Sequence, residues 1–185
     1  MKSCGQIFAD IFLKIFFWKT EGLHGFSSEK KAVVVMAPHT SIWDFVVGKC
    51  VVTKYGRKAG FFIKKEAFNW FIIGPLLKKW GGIPINRGHR NTHVEDAVER
   101  LNNSDDLWIV ITPEGTRKKV KRWKSGFYRI AMDAKVPILI SYVDYKTRVA
   151  TVVAKFYPTG DYKADLEKIM PYYDGVTGLF MKRKM

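Results

Sequence analysis

The chain of 185 residues has only two cysteines, Cys4 and Cys50. They make neither a CxxC pair nor a disulfide framework, so cysteine usage points to a reducing compartment. Long uninterrupted apolar runs are also missing. A membrane-spanning helix needs roughly 20 mostly apolar residues. The best candidate, Ile7 to Trp18, is shorter and is broken by Asp10 and Lys14. No small-residue cleavage site follows it, which argues against a signal peptide. Internal repeats, low-complexity tracts and a dividing linker are absent as well. Most telling is the shortage of acid: 17 Asp and Glu stand against 32 Lys and Arg, a formal net charge of +15. Such a surplus calls for an anionic partner, whether nucleic acid, an acidic lipid surface or a phosphorylated substrate.

What is present suffices for a packed domain, since 47% of the residues are hydrophobic and 15% aromatic. Read as a helix, the N-terminal segment puts Lys2, Gln6, Asp10 and Lys14 on one narrow polar stripe. Ile7, Phe8, Ile11, Phe12, Ile15 and Phe16 fill the rest of its surface. That shape suits a helix lying in a membrane interface, or one packed on the domain's own core; the two are compatible if only part of the face docks. The chain therefore divides into an amphipathic helix over residues 1–22 and a domain over residues 23–185.

Within that domain strands alternate with helices. Strands are predicted at Lys31–Ala37, Ala59–Ile63, Ile83–Asn86 and Leu107–Thr112, with a pair at Val136–Asp144 and Thr147–Tyr157. Helices are predicted from Ser41 to about Lys54, over Asn91–Asn103, around Phe127–Ala134 and from Asp161 onward. Glu66–Trp80 reads as a helix broken at Gly74-Pro75, because proline removes a backbone donor. The expectation is a single α/β domain with a mixed central sheet flanked by helices.

Three strings carry chemistry. In His39-Thr40-Ser41-Ile42-Trp43-Asp44, a histidine left in a loop can meet an aspartate in the first turn of the next helix. Asp44 would then accept the Nδ1 proton and leave Nε2 to take a proton from a hydroxyl. Ser41 to Asp44 equally fits a capping box, in which Asp44 only caps backbone N–H groups. Pro113-Glu114-Gly115-Thr116-Arg117 follows a strand, where α/β sheets place ligands, or else is a surface turn. Gly82-Ile83-Pro84-Ile85-Asn86-Arg87 delivers Arg87 to the end of a short strand. Arg87 and Arg117 could together clamp a phosphate, although either alone reads as a solvated charge. His89 and His93 are four apart without a third ligand nearby, and read as surface histidines; His24 has no evident partner.

In this order and approximate spacing the strings, with Val136-Pro137-Ile138 behind them, resemble the glycerolipid acyltransferases, which include lysophosphatidic acid and glycerol-3-phosphate acyltransferases. The resemblance runs from about Val33 to Tyr145. It implies the fold of the glycerol-3-phosphate acyltransferases, with His39 as general base and Asp44 as its orienting partner. Arg87 and Arg117 would hold the acceptor's phosphate, and Glu114, Gly115 and Thr116 would shape the acceptor pocket. The donor would be acyl-CoA or acyl-carrier protein, the acceptor a lysophospholipid, and no metal or other cofactor is needed. Peripheral attachment to the cytoplasmic face of an anionic membrane fits the same picture. Pro84 and Asn86 depart from the family's pattern, in which an apolar or aromatic and an acidic residue are usual. A basic nucleic-acid-binding module is the reading from another class, but neither zinc-finger spacing nor an RNP-like string supports it. A catalytically silent peripheral membrane protein that kept the fold is a third.

Overall fold

In a computed structural model, residues 2–20, 23–26, 28–85 and 90–180 are described. After α1 (Cys4–Ile15) and the short α2 (Leu23–Phe26) come β1 (Lys31–Met36), α3 (Ile42–Lys54) and β2 (Ala59–Lys64). A 3-10 turn at Lys65–Asn69 leads to α4 (Ile73–Lys79), β3 (Gly82–Ile85), α5 (Arg90–Asn102) and β4 (Leu107–Ile111). The remainder is α6 (Gly126–Asp133), β5 (Ile138–Asp144), β6 (Val149–Phe156), α7 (Tyr162–Ile169) and a second 3-10 turn at Met170–Tyr173.

The six strands form one sheet in the order β3-β2-β4-β1-β5-β6. All neighbours are parallel except β5 and β6, which pair as an antiparallel hairpin with a register shift at Ile140/Ser141. The expected mixed α/β sheet is therefore present. β1 lies inside it, between β4 and β5, and side-chain alternation along β1 splits the core in two. Ala32, Val34 and Met36 face a cluster with Ala9 and Leu13 of α1 and Val47, Val51 and Val52 of α3. Val33 and Val35 face the opposite cluster, with Ala97 and Leu101 of α5, Phe127 and Ile130 of α6 and Ile169 of α7. Such strands, covered on both faces, need the near-continuous apolar run seen at Ala32–Met36.

Half of the polar stripe of α1 is drawn in against α3: Gln6 and Asp10 are half-buried, while Lys2 and Lys14 stay exposed. Ala9 and Leu13 are buried, and beside them Gln6 donates from Nε2 to the carbonyl of Lys54, while Asp10 pairs with Lys54 and Lys2. The helix docks on α3 through this mixed edge and turns Ile7, Phe8, Ile11 and Ile15 outward, each 48–66% exposed. One expectation is corrected in the segment before β3. The helical pattern breaks at Trp70–Ile72, not at Gly74-Pro75, which lie in the first turn of α4. Proline is tolerated there because first-turn N–H groups have no partner within the helix.

Candidate functional site

β1 and β4 are parallel neighbours, so the loops leaving their C-terminal ends emerge side by side. The first carries His39 and the second Glu114. The carboxyl ends of adjacent parallel strands are where open α/β sheets bind ligands.

The loop after β1 passes through a cis Ala37–Pro38 bond and delivers His39 just ahead of α3. Ser41 is the N-cap of α3: its hydroxyl accepts the Trp43 N–H at 3.1 Å. Asp44, in the first turn, is 1% exposed. Its Oδ2 accepts the backbone N–H groups of Thr40 at 2.7 Å and Ser41 at 2.9 Å. The same oxygen lies 3.1 Å from His39 Nδ1. A carboxylate can only accept, so the imidazole proton belongs on Nδ1 and Nε2 presents its lone pair. Nε2 bonds to no described residue, and 19% of the imidazole stays exposed. The capping bonds and the bond to the imidazole, alternatives in the sequence, converge on one carboxylate oxygen.

A fourth donor comes from the turn between β5 and β6, where the Tyr145 hydroxyl donates to Asp44 Oδ1 at 2.8 Å. Burial by itself would raise the Asp44 pKa; the bonds from His39, Ser41, Thr40 and Tyr145 outweigh it and hold the acid below the ordinary carboxylate range. Sequence reasoning missed Tyr145, which stands 101 residues away in the chain without a motif around it.

Glu114 meets the histidine loop directly. Its Oε2 accepts the backbone N–H of His39 at 2.7 Å, so it braces the histidine loop from the β4 side. Burial raises its pKa; the single N–H from His39 opposes this without reversing it. Gly115 takes φ +62, and a Cβ there would collide with the side chain of Lys124 that crosses it. The Lys124 N–H closes the loop on the carbonyl of Pro113 at 2.9 Å. Thr116 Oγ1 accepts the N–H of Lys118 at 3.3 Å, a local turn bond. Arg117 is exposed in this loop, together with Lys118, Lys119, Lys121, Arg122 and Lys124. The structure thus gathers His39, Asp44 and Glu114, keeps Gly115 and Thr116 in the adjoining turn and leaves Arg117 at its surface. Arg87, Asn86 and His89 lie outside the described residues, as does the side chain of His24.

Two further features bear on chemistry. Cys50, buried on α3, has its thiol pushed up to about 11 by burial, which leaves it no thiolate character near neutrality. Among the described residues no group of three His, Cys, Asp or Glu side chains could hold a metal ion.

A segment near the end of the described chain closes over the histidine loop. Thr177 accepts the N–H of Tyr145 at 2.9 Å and donates its own to Asp144 Oδ1 at 3.2 Å. Gly178 packs so tightly on Thr40 that any Cβ would overlap its side chain. The Tyr173 hydroxyl, with that of Ser141, donates to the carbonyl of Val35 at the end of β1.

The family model described as Acyltransferase matches residues 19–143. No curated protein matches the chain. Among solved structures, the fold is similar to that of the 1-acyl-sn-glycerophosphate (LPA) acyltransferase PlsC from Thermotoga maritima. The TM-score is 0.65 at 16% identity, over 96% of this chain and 80% of that one.

Proposed function

This chain belongs to the Acyltransferase family, and on that premise we propose that it transfers a fatty acyl group from an acyl thioester to the hydroxyl of a lysophospholipid-type acceptor. The observation that carries the reading is the imidazole held by Asp44 through Nδ1 with Nε2 open. His39 Nε2 takes the proton of the acceptor hydroxyl as that oxygen attacks the thioester carbonyl. A tetrahedral intermediate forms, then collapses as the carbon–sulfur bond breaks. The departing thiolate recovers the proton from the imidazolium, so ester and free thiol are the products. Asp44 fixes the tautomer and stabilises the imidazolium while it lasts.

The favoured acceptor is 1-acyl-glycerol-3-phosphate, and the favoured donor acyl-CoA or acyl-carrier protein. Arg117, and Arg87 at the end of the β3 string, are assigned to the acceptor's phosphate, and the basic run Arg117–Lys124 supports an anionic ligand at this mouth. The resemblance assigned Glu114, Gly115 and Thr116 to the acceptor pocket. We keep Gly115 and Thr116 there and give Glu114 the bracing of His39.

The enzyme is read as peripheral, on the cytoplasmic face of an anionic membrane. Among the described residues no helix is long and apolar enough to cross a bilayer. Support comes from α1, whose outward Phe8, Ile11 and Ile15 continue through Phe16 to Trp43, their rings 6.5 Å apart. Trp43 is half-exposed and directly precedes Asp44, so this apolar face runs up to the catalytic loop. An interfacial helix of this kind would bring the site to lipid substrates.

The test is an acceptor panel on vesicles of neutral and anionic lipid: lysophosphatidic acid, other lysophospholipids, glycerol-3-phosphate and amino-acid lysolipids, each with one acyl thioester. Thiol release matched by diacyl product with lysophosphatidic acid, faster on anionic vesicles, is expected. His39→Ala should abolish it while the protein stays folded; normal turnover in that variant overturns the mechanism.

A further inference from the structure

Tyr145 is the one donor to the Asp44 carboxylate that comes from neither the histidine loop nor α3. Among the described residues, three of the four bonds to that carboxylate fall on Oδ2, from His39, Thr40 and Ser41, and Oδ1 is left to Tyr145 alone. Without it, Oδ1 would be a buried carboxylate oxygen lacking a partner, and the carboxylate could rotate to share its bonds differently.

The phenol is held from several directions. Its ring stands edge-on to Trp18, centroids 5.1 Å apart, and its backbone N–H is tied to Thr177. Burial, then the neighbouring Asp44, raises its pKa, so it keeps its proton and remains a donor at every pH the enzyme meets. Nothing in the capping of α3 calls for it, because Ser41 and Asp44 satisfy that helix end themselves.

We propose that Tyr145 is a positioning residue for acyl transfer: by holding Oδ1 it keeps Oδ2 on His39 Nδ1 and limits how strongly the carboxylate pulls on the imidazole proton. This rests on the His39–Asp44 reading above. Around the histidine loop the described residues also place Glu114 on the histidine backbone, Lys124 over the neighbouring Gly115 and Tyr173 on the carbonyl of Val35. Arg148 lies on the Tyr145 side and favours loss of the phenol proton only weakly against burial and Asp44. None of the four bonds to Oδ1.

The experiment is Tyr145→Phe, which keeps the ring against Trp18 and removes only the donor. A carboxylate relieved of this donor is a stronger acceptor for the imidazolium. The acid limb of the kcat/KM profile, which belongs to the imidazole–carboxylate pair, should therefore move to higher pH. We expect kcat at neutral pH to fall about 5- to 20-fold, with the KM of both substrates unchanged, as for an interaction felt in the transition state. 3-Fluorotyrosine at position 145, a stronger donor of nearly the same shape, should move the limb the opposite way. Unchanged kcat in Tyr145→Phe overturns the proposal. So does a lower kcat with the limb in place in both variants, because a packing role scales rate evenly across pH. His39→Ala separates the two readings: if it stays active the base itself is misassigned, whereas if it is dead and Tyr145→Phe is normal only Tyr145 is.

Discussion

One carboxylate stands on each side of the His39 loop, Asp44 from α3 and Glu114 from the turn after β4, and their pKa values end on opposite sides of the ordinary range although burial acts on both in the same direction. Burial is the largest influence on both and pushes both pKa values up. Asp44 ends below its ordinary value because two backbone N–H groups, an imidazole and a phenol converge on it. Glu114 accepts one backbone N–H and ends above its ordinary value. The number of donors, not the depth of burial, decides the sign. One side of the histidine therefore holds a full negative charge beside the imidazole. The other is a brace that works charged or neutral.

The sharpest way to break that comparison is Asp44→Asn. The Thr40 and Ser41 N–H groups would hold the amide oxygen where Oδ2 stands and turn the NH2 toward Tyr145, so the imidazole keeps an acceptor and loses the negative charge that stabilises the imidazolium. Activity at neutral pH should fall by roughly 10²- to 10⁴-fold, the scale on which loss of the orienting carboxylate acts in base–orienter pairs. Stopped turnover with lysophosphatidic acid measures it. Loss of no more than a few-fold would mean that Asp44 only caps α3.

The pH dependence of stability separates the two sides next. For Asp44 the folded pKa lies below the ordinary 3.8, so its contribution is present above that value and lost as pH falls through the folded pKa. For Glu114 the folded pKa lies above the ordinary 4.5, so folding opposes its ionisation and stability falls as pH rises from that value through the folded pKa. Glu114→Gln keeps an acceptor for the His39 N–H while removing the charge. It should leave kcat within about threefold, since the brace survives, and raise the unfolding free energy by at most about 1 kcal/mol near neutrality. Denaturant titrations of the wild type and both variants across acid to neutral pH check this. A midpoint lowered by Glu114→Gln at neutral pH would show the charge itself to be needed.

How much of this was legible in the chain follows from how local each signal is. The strands and helices α3, α5, α6 and α7 came through to within a residue or two, because the Val33–Val35 run and the Val94, Ala97 and Leu101 face each declare one period, whereas the short α2 was not foreseen. His39 and Asp44 were readable because five residues and a helix start suffice to join them. The break before α4 was misplaced because Pro75 is disruptive only once a turn has already formed before it. Tyr145 was invisible: its relation to Asp44 exists only after β5 is laid beside β1 and the following turn folds back. The outward face of α1 was half-legible. Periodicity found the polar stripe, but Ala9 and Leu13 decide that this edge docks on α3.

The smallest effect is expected on the Glu114 side, at Arg117. It is exposed in the turn three residues beyond Glu114, where a guanidinium interacts through water and salt and contributes little on its own. If it meets the acceptor's phosphate in ground and transition states alike, Arg117→Ala should raise the acceptor KM about 3- to 10-fold and leave kcat alone. The effect should shrink as salt is added, because an exposed charge is screened beyond about 10 Å at 0.1 M ionic strength. A phosphate-free acceptor of the same chain length should show no KM change between wild type and variant. Equal losses on both acceptors would move Arg117 from phosphate recognition to the shape of the loop. The Glu114 turn would then be a brace for His39 without a share in choosing the acceptor, and the contrast with the Asp44 side would be complete: one carboxylate serving chemistry, the other serving position.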